Sequence, residues 1–172
     1  LTTASDVTYS GLVSGAGQLE VRATNNSTLT AGGTMSHTGG TLVRSGTLLA
    51  QTGWAGATGG NIIVELGAKA RLNVATNLTA AGVFSGAGTI VKEGAASLTL
   101  LNPTTAFTGT YQSNAGTTVL AAPNLFGLTS PNVAAIDLRG TSVLDVTADQ
   151  VFRNLTGEAT TTIAYGVNGV TI

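Results

Sequence analysis

The 172-residue chain has no cysteine, one methionine, one tryptophan and one histidine, and only 9% of its residues are charged and 5% aromatic. Each shortage removes a class of chemistry. Without Cys there are no disulfides, no thiolate metal sites and no thiol nucleophile. With His37 as the only imidazole, neither a multi-histidine metal site nor a triad with a second base can form within the chain. A formal net charge of −1 provides no basic face for a phosphate backbone or an anionic lipid, so nucleic-acid binding is not expected. No apolar run approaches the roughly 18 residues of a membrane-spanning helix, and the N-terminus lacks the charged and apolar regions of a signal peptide. The chain opens at Leu1 and reads as a piece of a longer protein, which would place any targeting segment or anchor outside it. The scarcity of rings predicts an interior of Val, Leu and Ile rather than of aromatic side chains.

What is present points to strands. Hydrophobic residues make up 42% of the chain, enough for one continuous core, and there are 24 Gly but few helix-forming Glu and Lys. Short aliphatic–polar–aliphatic alternations recur: Leu19-Glu20-Val21, Val64-Glu65-Leu66, Leu72-Asn73-Val74, Ile136-Asp137-Leu138 and Leu144-Asp145-Val146. The side-chain period of a strand is two, so these pairs point inward and the residue between them points to solvent. Gly-rich clusters at Gly32-Gly33, Gly39-Gly40 and Gly59-Gly60 separate them as turns.

Self-similarity is the strongest signal. Gly11-Leu12-Val13-Ser14-Gly15-Ala16-Gly17 returns, at an offset of about 71, as Gly82-Val83-Phe84-Ser85-Gly86-Ala87-Gly88. His37-Thr38-Gly39 returns as Phe107-Thr108-Gly109, and Ser45-Gly46-Thr47 as Ala115-Gly116-Thr117. Val64-Glu65-Leu66 matches Ile136-Asp137-Leu138, and Leu72-Asn73-Val74 matches Leu144-Asp145-Val146. A degraded third copy starts around Thr156-Gly157-Glu158. The copies run over about 11–81, 82–152 and from 153 onward, within a single domain spanning 1–172. A unit of about 71 residues is too long for one solenoid rung but divides into three of roughly 24. The expected fold is all-β: a β-solenoid of about seven rungs whose strands stack in parallel, forming a rod on the order of 34 Å long.

The second copy resembles the autotransporter-associated β-strand repeat of type V secreted passenger domains. The likeness lies in Ser85-Gly86-Ala87-Gly88-Thr89-Ile90-Val91-Lys92-Glu93-Gly94, Leu98-Thr99-Leu100, Asn102, Phe107-Thr108-Gly109 and Gly116-Thr117-Thr118-Val119-Leu120. Asn124-Leu125-Phe126-Gly127 is similar to the bend that often follows. In the first copy, residues 37–48 follow the second half of the motif, with His37 at the aromatic position. The resemblance implies a right-handed, single-stranded parallel β-helix, exported across the bacterial outer membrane and residing on the cell surface or outside the cell. It also implies adhesion or virulence as the role, with a host-cell or matrix protein, a glycan or a sister-cell passenger as partner. A stalk that displays another domain and aids secretion is the alternative, and a carbohydrate-active β-helix enzyme the second.

The residues offer little catalytic chemistry, and the expectation is that the chain is no enzyme and holds no cofactor or metal. Trp54, in a Gly-rich loop, is the candidate binding side chain because an indole can stack on a sugar, although its repeat mate Leu125 suggests a core cover. His37 reads as a structural ring at a turn. Glu65, Asp137 and Asp145 are outward acids. Asp137 and Asp145 are expected on different faces across Gly140. Glu65 and Asp137 are expected three rungs apart on one face, about 14 Å, beyond the roughly 5–9.5 Å of glycosidase carboxylates. The Gly-rich turns lack the Asp residues of calcium-binding nonapeptide repeats. The Asn-x-Ser/Thr triplets at Asn25, Asn77 and Asn154 follow from a Thr-rich composition, and no regular Thr row of the ice-binding kind is expected. The first and last residues read as ordinary rungs without polar caps, so open strand edges are expected at both ends.

Overall fold

The computed structural model describes residues 1–51, 60–103, 106–127, 134–166 and 170–172, and they form a β-solenoid of about seven turns with no helix. Every strand pair among them is parallel, and the chain passes round three faces in sequence. Face I holds β1 (Thr2–Thr3), β3 (Leu19–Ala23), β5 (Thr41–Ser45), β7 (Ile62–Val64) and β10 (Phe84–Ser85). The same slot is later taken by β17 (Gln150–Val151) and β20 (Val170–Thr171), which pair with each other. Face II is the longest sheet, with eight strands: β2 (Val7–Tyr9), β4 (Thr28–Ala31), β6 (Thr47–Ala50), β8 (Lys69–Asn73), β11 (Thr89–Glu93), β13 (Thr110–Ser113), β15 (Ala135–Leu138) and β18 (Asn154–Gly157). Face III holds β9 (Leu78–Ala80), β12 (Leu98–Leu100), β14 (Thr117–Leu120), β16 (Val143–Val146) and β19 (Thr162–Tyr165). In the first two turns, the bridge between Val13 and Met35 takes the place of paired strands on face III.

Alternation sets which side chains enter the core. In β13, β14, β15 and β16 the second and fourth residues are buried and the first and third are not, the period-two pattern of a strand with one covered face. Stacking then puts like on like: Leu29, Leu48, Ala70, Ile90, Tyr111 and Ile136 form one inward column on face II. Corners absorb the change of direction with left-handed residues. Gly46 (φ 67°) turns the chain from β5 to β6, and Gly116 (φ 66°) turns it from β13 to β14. Elsewhere, space is the constraint: a Cβ on Gly109 would lie 1.9 Å from the Gly88 carbonyl of the turn below.

The stacking period is about 21 residues per turn, shorter than the rung length expected from dividing the repeat by three. This changes how the sequence copies lie. One copy spans about three and one-third turns, so matched segments occupy successive faces. Val13 lies in the face III slot, Phe84 in β10 on face I, and Leu155 in β18 on face II. Leu72 of β8 on face II matches Leu144 of β16 on face III. Local conformation survives the change of face: Gly15 (φ 104°) and Gly86 (φ 93°) are both left-handed, as are Gly46 and Gly116. The amide of Thr38 donates to Gly15 O at 2.9 Å, and that of Thr108 donates to Gly86 O at 3.0 Å.

The interior is also more aromatic than expected. Phe84, Phe107, Phe126 and Phe152, all the phenylalanines of the chain, are buried with Tyr111 in one ladder of ring centroids 5.5–6.4 Å apart. Composition dilutes rings over the whole chain, whereas stacking collects them in one place. The pairs are T-shaped, tilted or stacked, geometries in which aromatic contacts add to simple burial. Truncating Phe107→Ala is expected to cost about 3–5 kcal/mol in denaturant unfolding. Leu66→Ala, at a residue 83% exposed in the turn after β7, is expected to change stability by less than about 0.5 kcal/mol.

Candidate interaction surfaces

Because alternation commits half of each strand to the core, whatever the rod presents to a partner lies on outward positions and corners. Face II offers the most continuous surface. One outward row runs Thr28, Thr47, Lys69, Thr89, Thr110, Ala135, Asn154, and the next runs Thr8, Thr30, Leu49, Arg71, Val91, Gln112, Asp137, Thr156, interrupted as a surface by Val91, which is buried. Threonine therefore does form a partial row, interrupted by Lys69 and lost after Thr110.

Most outward charges are paired with one another. Arg44 bridges turns: its Nε donates to Glu20 Oε1 at 2.8 Å and its Nη1 to Glu65 Oε1 at 2.6 Å, and Arg22 also pairs with Glu20. These arginines hold the Glu20 carboxyl below its usual pKa, Arg22 contributing most. Arg71 holds Glu93 through both carboxylate oxygens, at 3.0 Å each. Pairs this exposed contribute little to stability, because solvent screens the attraction and ordering two long side chains costs entropy. Their result is a surface with little net field. The Glu20–Arg44–Glu65 chain escaped the sequence reading, although opposite charges spaced by about one turn are the signal that identifies it.

The three outward acids do not converge. Glu65 sits in the turn after β7 at the edge of face I, with Leu66 exposed beside it rather than buried; the expectation that it shares a face with Asp137 does not hold. The reason is the one-third turn left over in the repeat. Asp137 projects from β15 on face II and Asp145 from β16 on face III, as expected. Asp137 is bound by its neighbours: Arg139 Nε donates to its Oδ2 at 2.8 Å, and Thr156 Oγ1 to its Oδ1 at 3.1 Å. With Gln112, whose Nε2 donates to Asn114 Oδ1 at 2.6 Å, these residues make a polar plate along β13, β15 and β18 of face II and the corners that follow β13 and β15. No group of three or more His, Asp or Glu residues suited to a metal occurs among the described residues. Trp54 lies outside the described residues.

Two buried polar groups belong to the scaffold. His37 is buried at the corner before β5, with Nε2 2.9 Å from Thr41 Oγ1 and Nδ1 without a partner in hydrogen-bonding geometry. Burial lowers its pKa, opposed by the nearby Gly40 backbone. Lys92 points inward from β11, and its ammonium donates to Gly94 O at 3.0 Å and to Ala115 O at 2.5 Å, tying one turn to the next. Burial lowers its pKa from 10.5 to about 8.

Both ends of the rod are open. Leu1, Val7, Tyr9 and Leu12 are exposed at one end, and Ile163, Tyr165 and Ile172 at the other, beside a cleft of about 440 Å³ that reaches Leu138 and Leu155.

The buried ammonium makes stability depend on pH. The native state releases the Lys92 proton near pH 8, whereas the unfolded chain keeps it to about 10.5, so stability should rise with pH between about 8 and 10. Above about pH 10 Tyr111 opposes this, because complete burial raises its phenol pKa. Chemical denaturation across this range should show the rise in the wild type and lose it in Lys92→Met. The open ends have their own consequence. Light scattering of the isolated chain should show association that grows with concentration, reduced in an Ile163→Lys, Tyr165→Lys double variant. No protein-family model, characterised protein or solved structure matches this chain.

Proposed function

We propose that the chain is a rod segment of a surface-displayed or secreted bacterial passenger of the autotransporter type, acting in adhesion through its outer faces. The observation behind this reading is the allocation of side chains. Apolar residues of the turns between the two end turns are stacked inside, while hydrogen-bonding capacity is spread along extended outer faces. The plate of Gln112, Asn114, Asp137, Arg139 and Thr156 is the favoured contact. It carries donors and acceptors side by side and suits a polar protein surface or a glycan. Export in an unfolded state accords with a Cys-free chain, and the order of motifs in the second copy supports that route.

A stalk that displays another domain is the second reading, favoured by a specific contrast. Inward and corner residues match between copies, as in Leu72 with Leu144 and Gly46 with Gly116, whereas some outward charges do not recur, as in Arg22 with Glu93. Cells displaying the full passenger, wild type or Gln112→Ala, Asp137→Ala, Arg139→Ala, distinguish the two. At equal surface display, adhesion or cell aggregation should fall several-fold in the triple variant; unchanged adhesion would remove the adhesive role and leave the stalk.

A further inference from the structure

We infer that the long sequence repeat, rather than the turn, is the module of this rod, and that the module is independent of face: each copy lengthens the rod and turns whatever follows it to the next of three sides. The first, second and third copies start on faces III, I and II, at Val13, Phe84 and Leu155. In the first two copies the same local structure is built, whereas Gly157, the third-copy match of Gly86, is not left-handed. The left-handed Gly15 and Gly86 and the Thr38 and Thr108 amide bonds recur at matched positions, though their strands belong to different sheets. Gly46 and Gly116 turn two different corners with φ values of 67° and 66°. Strand β9 on face III matches β17 in the face I slot by the same offset.

The physical basis is that the three sides make equivalent demands. Each needs a short alternating strand whose inward residues meet aliphatic or aromatic neighbours on the turn below, followed by a tight corner, and on each of the three sides a left-handed residue turns some of the corners, as Gly46, Gly116 and Gly40 do. A sequence that meets these demands on one side meets them on another. One copy therefore advances the chain by about three and one-third turns, or about 16 Å, and three copies restore the original side after roughly ten turns, about 48 Å. Matched outward residues wind around the rod and do not line one face, so a partner on one side meets a given repeat position in only one of three successive copies. This holds whether the rod is an adhesin or a stalk.

Two insertions into the full chain test it. Repeating residues 82–152 after Phe152 adds one module and seats the inserted β10 sequence on face II. Repeating residues 89–152 at the same point adds three whole turns and leaves every strand on its own face. Both variants should melt cooperatively, and X-ray scattering should show rods longer by about 16 Å and about 14 Å respectively. The absence of native Cys provides a readout of orientation. In the module variant, Asp137→Cys and Ser85→Cys in the inserted copy should be joined by a short thiol cross-linker, because the inserted strand then lies where Thr156 pairs with Asp137 in the original chain. Cooperative folding, added length and the cross-link together support the inference. A module variant that fails to fold, gains no length, or gains length without the cross-link overturns it, whatever the whole-turn variant does.

Discussion

The structure depends on one constraint: each turn must lie on the one below at the spacing of parallel strands, about 4.8 Å, with inward side chains in register. Hydrogen bonds between turns fix the spacing, and the spacing dictates what may stand next to what. Gly109 over Gly88 is one consequence, since no Cβ fits between those backbones. Gathering the four phenylalanines into one ladder is another, because rings at a given slot can share a column only with side chains at that slot on neighbouring turns; Tyr111 meets them from its own column on face II. Even Lys92 obeys it. Its ammonium enters the interior because backbone carbonyls of two successive corners stand within reach.

The same constraint shapes the surface. Outward residues one turn apart are neighbours, so charges that are distant in sequence neutralise each other, as Glu20, Arg44 and Glu65 do. A chain with few charges thus leaves little field for steering a partner. Contact through such a surface depends on hydrogen bonds and shape over an extended area, which is what the plate around Asp137 provides.

Strand content, the Gly-marked corners and the outward placement of Asp137 and Asp145 were legible in the sequence because they rest on local rules: alternation with period two and the steric freedom of glycine. The ring ladder was not, since it joins residues from successive turns. Nor was the Glu20–Arg44–Glu65 chain, because charges so far apart in sequence become neighbours only once the turn length is known. The expected placement of Glu65 and Asp137 on one face failed for the same reason. The longer rung expected from the sequence makes the repeat a whole number of turns, and the observed turn does not.

By itself the sequence determined the copies, their strands and their corners, because each is built from neighbours along the chain. Only the tertiary structure decided which side of the rod each copy occupies. That choice depends on the total path consumed by strands and corners, about 21 residues per turn, and a small difference per turn accumulates over one copy to a third of the circumference. Local matching is blind to this accumulation; stacking is not, because every strand must find its partner on the turn below.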